Sequence, residues 1–244
     1  MQNFWLTIIT ITKNDHVGLV RTLASTAALR SLSGVEQIVV YAGDVAPVIC
    51  DSAVYLSRQR SAGIAGAFNE GLNQARGEWV WFLNGGDCLD ARLDQDFLHT
   101  LLEKATEDVI IGGITYEGNS ALHPLPPPAK RWPAIRPWIP HPSTLVRRCL
   151  FEKFGRFDEH YSIAMDYEWW LRALGPKVPV CVLDMPFSVF SPGGISQRPE
   201  MRQQILREKW RAVRRHGFSI SYQLVRVWFL TFLTHDREPP ARLP

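Results

Sequence analysis

At 244 residues and 27.8 kDa, the chain lies within reach of one α/β domain with short appendages. Hydrophobic residues at 46% and charged residues at 21% exclude an intrinsically disordered chain or a coiled coil and allow a sizeable core. Lys plus Arg exceed Asp plus Glu by only 27 to 24, and the formal charge of +3 gives no reason to expect nucleic acid as a partner.

Cys50, Cys88, Cys149 and Cys181 lie too far apart for the close pairs of a zinc ribbon or redox dithiol, and read as reduced, mostly buried thiols of a cytosolic protein. The apolar run over 4–11 lacks a basic leader and a small-residue cleavage site, so a first strand is expected there and not a signal peptide. It ends at Thr12-Lys13-Asn14-Asp15, where Asn14 or Asp15 can cap a helix with Val20, Leu23, Ala24 and Ala27 on its apolar face. Ser33-Gly34 stops that helix before a second apolar run at 38–41, and a parallel βαβ crossover is the economical reading. A short strand near 54–56 precedes a helix over 63–76 whose face of Ala67, Phe68, Gly71, Leu72 and Ala75 permits close packing on a sheet. Trp79-Val80-Trp81-Phe82-Leu83 has the nearly continuous apolar pattern of a parallel strand covered on both faces, and stops at Asn84-Gly85-Gly86-Asp87. A helix with Leu93, Phe97, Leu101 and Leu102 inward leads to a strand over 108–116.

From 117 to 142 the texture turns to Pro, Gly, Trp and Arg, including Pro126-Pro127-Pro128, as in a binding loop or lid. An amphipathic stretch over 147–154 follows, then a helix over 166–174 closed by Gly175-Pro176, and short strands over 178–183 and 187–190. The chain continues with a mixed-charge, basic-leaning helix over 199–216 and a strongly apolar one over 222–233. The most apolar part of the latter, 225–233, is far shorter than the roughly 20 apolar residues of a membrane span and begins beside Arg226.

Ligands of open α/β sheets bind beyond the carboxyl ends of the strands, which draws attention to Asp87. Behind Gly85-Gly86, its carboxylate can hold a divalent cation that bridges nucleotide phosphates, or it can cap the next turn. Asp166, in Ala164-Met165-Asp166-Tyr167-Glu168-Trp169-Trp170, either caps its helix or takes the proton of a sugar hydroxyl. The tryptophans fit pyranose faces or the core. His141 can bind phosphate or metal or be structural, and Arg147-Arg148 can pair a diphosphate or lie in solvent. No G-x-x-x-x-G-K-[ST], G-x-G-x-x-G or G-x-S-x-G pattern occurs, which removes the kinase, ATPase and dehydrogenase readings and the commonest hydrolase one.

In order and spacing, these pieces over roughly 4–196 resemble the bacterial family 2 glycosyltransferases of the GT-A fold. Thr7-Ile8-Ile9-Thr10-Ile11-Thr12-Lys13-Asn14 is similar to that family's first strand and turn, and Gly63-Ile64-Ala65-Gly66-Ala67-Phe68-Asn69-Glu70-Gly71 to its "GIYDAMNKG" helix start. Gly77 through Asp87 resembles "GEYILFLNSGD" at the DxD metal position. His141-Pro142-Ser143, Gly155-Arg156-Phe157-Asp158-Glu159 and the Asp166 segment resemble the acceptor-side run that ends in the catalytic acid, and Gly193-Gly194-Ile195-Ser196 the closing loop.

The resemblance implies a mixed, mainly parallel Rossmann-like sheet with flanking helices, forming a GT-A domain over 1–198, with a C-terminal helical extension over 199–244. It implies inverting transfer from a nucleotide-diphosphate sugar to a glycan or lipid-linked acceptor, in surface polysaccharide or glycoconjugate synthesis at a cytoplasmic location. Asp166 would be the general base, and Thr12, Asn14, Tyr41, Asn69, Asn84, Gly86 and Asp87 the donor side. His141, Glu168 and Trp169 would be the acceptor side, and Asp87 the ligand of Mn²⁺ or Mg²⁺. Three donor-side carboxylates of the family pattern are missing, at Tyr41-Ala42-Gly43, at Gly66 and at Asn84/Gly86. The alternatives are therefore an altered donor pocket with Tyr41 stacked on the base, weakened metal binding, or a catalytically silent binding protein. The last helices, with Arg202, Arg207, Lys209, Arg211, Arg214 and Arg215 before the apolar stretch, suit either the inner membrane face or packing on the domain or a second subunit.

Overall fold

A computed structural model describes residues 3–119, 121–122, 139–174 and 178–216. The apolar stretch at 222–233, most of the Pro-rich segment and Gly175-Pro176 lie outside the described residues. In chain order the elements are β1 (Leu6–Lys13), α1 (His16–Arg30), β2 (Val35–Ala42), β3 (Val54–Arg58), α2 (Gly63–Gln74), β4 (Trp79–Asn84) and β5 (Cys88–Leu89). Then come α3 (Gln95–Lys104), β6 (Val109–Tyr116), β7 (Thr144–Arg147), α4 (Cys149–Phe154), α5 (Met165–Leu174), β8 (Val180–Phe190) and α6 (Arg202–Arg215).

The strands form one eight-stranded sheet in the order β3-β2-β1-β4-β7-β6-β8-β5. β1 pairs in parallel with β2 and β4, β2 with β3, and β6 with β8, whereas β7 runs antiparallel between β4 and β6, and β5 runs antiparallel on β8. The expected α/β sheet and its first βαβ crossover are thus present. The chain leaves β1 toward β2 and β3 and returns to β4 on the other side of β1. This reversal opens a crevice at the carboxyl ends of β1 and β4.

β1, β2 and β4 are covered on both faces, mostly by apolar side chains, with Thr7, Thr10, Glu36 and Gln37 as buried polar members. Ile9, Phe68, Val80 and Phe82 belong to one core, while Leu6, Ile8, Trp79, Trp81 and Leu83 belong to the other. α2 lies close on the sheet because its inward face is small: a Cβ on Gly71 would run into Ile9 Cγ2. α6 joins the first core through Ala212 and Val213.

Several expected details differ. On α1, Val20, Ala24 and Ala27 are exposed, and the buried face is Gly18, Leu19, Thr22, Thr26, Leu29 and Arg30. The polar members of that face are paired inside: Gln37 Oε1 accepts from Thr26 Oγ1 at 2.8 Å and from Arg30 Nη1 at 2.7 Å. α3 turns Leu98 inward and leaves Phe97 40% exposed. The two short strands expected after 178 are one bulged strand, β8, and the stretch from 147 begins inside β7 before α4. The cysteines are free, but Cys50 and Cys149 are exposed and Cys88 and Cys181 half-buried, so the expectation of mostly buried thiols fails.

Candidate active site

Register brings most of the expected donor residues to one edge. Thr12 lies opposite Tyr41 and Ile11 opposite Asn84, so the ends of β2, β1 and β4 meet. Asp15 caps α1 through Gly18 N at 2.8 Å. Asn14, just before it, takes a left-handed φ of 54°, and a Cβ on Gly43 would collide with Asn14 Oδ1. Asn is among the few non-glycine residues that adopt this region readily, so the turn after β1 holds it without glycine.

The turn after β4 is held from α1. Thr22 Oγ1 donates to Asp87 O at 2.7 Å and accepts from Gly86 N at 2.9 Å, and Ser25 Oγ accepts from Leu89 N at 3.1 Å. Sequence reasoning missed Thr22. The signal was the stripe Thr22, Thr26 and Arg30 at four-residue spacing, a second face of α1 that apolar counting passes over.

Asp87 is 2% exposed. Its Oδ1 accepts from Ser191 N and its Oδ2 from Asn84 Nδ2, each at 3.1 Å. It is therefore a latch between the β4 turn and the segment after β8, not a cap. Burial, opposed by these bonds, pushes its carboxyl up to about 6. Each oxygen accepts one hydrogen bond, and no group of three or more His, Cys, Asp or Glu capable of holding a metal occurs among the described residues. A divalent cation here would have Asp87 as its carboxylate ligand and would need the donor diphosphate and water for the rest of its shell.

On the acceptor side, Asp166 lies in the first turn of α5 and is half-buried, its Oδ1 accepting from Tyr167 N at 2.7 Å. His141 opens a short 3₁₀ turn, His141–Ser143, anchored by Trp81 Nε1 on Pro142 O at 2.8 Å. Its ring stacks on Phe82 of β4 at 5.1 Å, and the charge of Asp166 reaches it. Burial holds the imidazole below the usual histidine range, Asp166 opposing, so it is neutral. Its Nε2 is buried without a hydrogen-bond partner among the described residues.

Three expected site residues are not open to a ligand here. Asn69 donates to Phe157 O at 2.9 Å and accepts from Phe157 N at 3.1 Å, which fastens α2 to the segment before α5. Trp169 is 1% exposed, stacked on Phe151 at 4.3 Å, with its indole N–H on Gly155 O, so it is a core residue with no free face for a sugar. Glu168 is buried too, bound by Arg172 Nε and His216 Nε2, each at 2.8 Å. Arg147 and Arg148 sit at the amino end of β4, where Arg147 lies over Trp79 and pairs with Glu78. That end is opposite the donor turn, so they do not meet a diphosphate bound there.

A sheet that reverses at β1, with polar turns at the ends of β1 and β4, is the architecture the chain shares with solved glycosyltransferases of the GT-A class. The chain belongs to glycosyl transferase family 2, whose family model matches residues 7–162. It is 28% identical over 194 residues, 73% of each chain, to the uncharacterized glycosyltransferase Rv1514c of Mycobacterium tuberculosis. It is 22% identical over 130 residues to the uncharacterized glycosyltransferase MJ1057 of Methanocaldococcus jannaschii, covering 50% of this chain and 44% of that one. S. aureus TarS shares the fold with a TM-score of 0.61 at 15% identity, over 91% of this chain and 41% of TarS. The TarS 1–349 structure in complex with UDP-GlcNAc gives 0.59 at 15% identity, over 91% and 69%. This chain thus spans less than half of the longer TarS chain.

Proposed function

We propose that the chain transfers a sugar, with inversion, from a nucleotide-diphosphate-sugar donor to an acceptor hydroxyl, Asp166 serving as general base. The donor would sit across the ends of β2, β1 and β4, against Thr12, Asn14, Tyr41, Asn84 and Gly86. The observation that carries this reading is the placement of Asp166: a half-buried carboxylate whose charge reaches His141, which is stacked on the strand that ends in the donor turn. A base so placed removes the acceptor proton as the oxygen attacks the anomeric carbon, while the nucleoside diphosphate leaves from the opposite face. Asp166, half-buried, is then the polar group presented to an acceptor, with the neutral His141 ring behind it.

Family 2 enzymes generally use divalent cations, but with Asp87 latched we route no step of the reaction through one. The solved complex of TarS with UDP-GlcNAc makes UDP-sugars the first donors to try. The exposed Arg207, Trp210 and Arg214 of α6 support a peripheral contact with an anionic membrane face and hence a lipid-linked acceptor, at a cytoplasmic location, in surface polysaccharide or glycoconjugate synthesis. No described helix is long and apolar enough to cross a membrane.

The test is Asp166→Asn. Turnover of the accepted donor should fall by about 10²–10⁴, with the thermal shift induced by the nucleotide retained. Full activity in that variant sinks the assignment, and NMR of the product's anomeric centre decides inversion.

A further inference from the structure

Asp166 does not cap α5, and neither does the residue that should. The helix begins at Met165, which puts Ala164 at the cap position, where a methyl side chain can accept nothing. The turn 162–164 leading into the helix is instead held by α6. Glu208 Oε1 accepts from Ser162 N at 3.0 Å, and Oε2 from Ile163 N at 3.0 Å and Ala164 N at 2.8 Å. Glu208 is 7% exposed. Burial pushes its pKa up, but the bonds from Ala164, Ile163, Ser162 and Gln204 together hold it below the usual glutamate range.

The same face of α6 continues along the segment. Arg211 donates to His160 O and lies over the Tyr161 ring at 4.1 Å, Arg215 pairs with Asp158 at 2.5 Å, and His216 Nε2 meets Glu168 Oε1 at 2.8 Å. Positions 208, 211 and 215 follow helical spacing as one stripe, and with His216 just past the end of α6 they grip residues on both sides of Asp166. The core contact of Ala212 lies in the middle of that stripe.

From this geometry we infer that α6 is part of the catalytic unit and that Glu208 is a positioning residue for Asp166. The inference rests on the reading of Asp166 as base. Glu208 lies 42 residues beyond Asp166 in the chain and touches the turn, not the acceptor. Its role is to fix the backbone two residues before the base, and through it the direction of the Asp166 carboxylate. Displacements of about 1 Å at a reacting group are enough to cost two orders of magnitude in rate.

The experiment uses the full chain with Glu208→Gln, which keeps one acceptor oxygen, and Glu208→Ala, which keeps none. Amide exchange is measured at 162–164, together with kcat and donor KM. The clamp predicts faster exchange at these amides, kcat lowered about tenfold in Glu208→Gln and more in Glu208→Ala, and donor KM within twofold of wild type. It also predicts that Glu208→Gln costs nothing further in an Asp166→Asn background, since its effect passes through that residue. A folded Glu208→Gln protein with normal kcat overturns the inference, as does an equal loss in both backgrounds. If Glu208→Ala fails to fold, Glu208→Gln decides alone. If Asp166→Asn itself keeps full activity, the base assignment is what has failed, and the exchange measurement still reports whether the clamp exists.

Discussion

Replacing Asp87 by Asn should make the metal-free protein more stable at neutral pH. The carboxyl is pushed from 3.8 to about 6 by burial, which at about 1.4 kcal/mol per unit makes its ionised form cost about 3 kcal/mol in the fold at pH 7. An amide of the same shape carries no charge and keeps both bonds: its Oδ1 can accept from Ser191 N, and Asn84 can turn its own Oδ1 toward the new Nδ2. The sign follows from proton binding. Between about pH 4 and 6 the native carboxyl holds a proton that the unfolded chain releases, so wild-type stability falls as pH rises through that window and the deficit is complete above it. The assay is thermal and urea unfolding of both proteins in EDTA at pH 4 and 7.5. Asp87→Asn should melt several degrees higher at pH 7.5, by about 2–4 °C per kcal/mol, and the advantage should vanish at pH 4. Equal stabilities at pH 7.5 would refute the reasoning, because an ionised Asp87 would then be compensated by a partner the structure does not supply. Stabilisation of wild type by Mn²⁺, absent in Asp87→Asn, would show the carboxylate leaving its latch to ligate a cation.

Three further substitutions probe the site and its walls. His141→Phe removes the buried unpartnered Nε2 and should add about 1–3 kcal/mol of stability. It should also weaken the loss of stability on acidification below about pH 6.5, where the unfolded histidine gains a proton that the buried ring refuses. An unchanged stability profile from pH 7.5 to 5 would contradict this, and a large rise in acceptor KM would add that Nε2 meets the acceptor. Trp169→Ala should cost about 3–5 kcal/mol in urea unfolding as a core cavity, with nucleotide affinity of the folded fraction unaltered; a selective loss of acceptor binding at normal stability would return Trp169 to the site. Gly71→Ala forces a methyl against Ile9 and should destabilise by about 1–3 kcal/mol despite the better helix propensity of alanine. A gain in stability would mean that α2 can lift from β1.

The sheet was legible because its signals are local. Apolar runs at β1, β2 and β4, broken by polar turns, point to parallel strands with ligands at their carboxyl ends; Thr12, Tyr41 and Asn84 came from the family resemblance, and the register sets them on one edge. The inward face of α1 was misread for the opposite reason. Thr22, Thr26 and Arg30 are buried because each finds a partner elsewhere: Thr22 on the backbone of Gly86 and Asp87, the other two on Gln37. A period of apolar residues cannot report a face made of satisfied polar groups.

The site residues divide along the same line. Asp87 and Ser191 are 104 positions apart, Asn69 and Phe157 88, and Glu208 and Ala164 44. In each pair the sequence around one member says nothing of the other, so a motif can name Asp87 and Asn69 without showing the long-range bonds that hold them. The Glu208 clamp leaves no local trace either. Ala164 at the cap position cannot accept from the first-turn amides of α5, but Glu208 takes the amides of Ser162, Ile163 and Ala164, which precede that turn, so the missing cap does not announce it. What brings the carboxylate there is the packing of α6 along the segment before α5, where Arg211 also donates to His160 O.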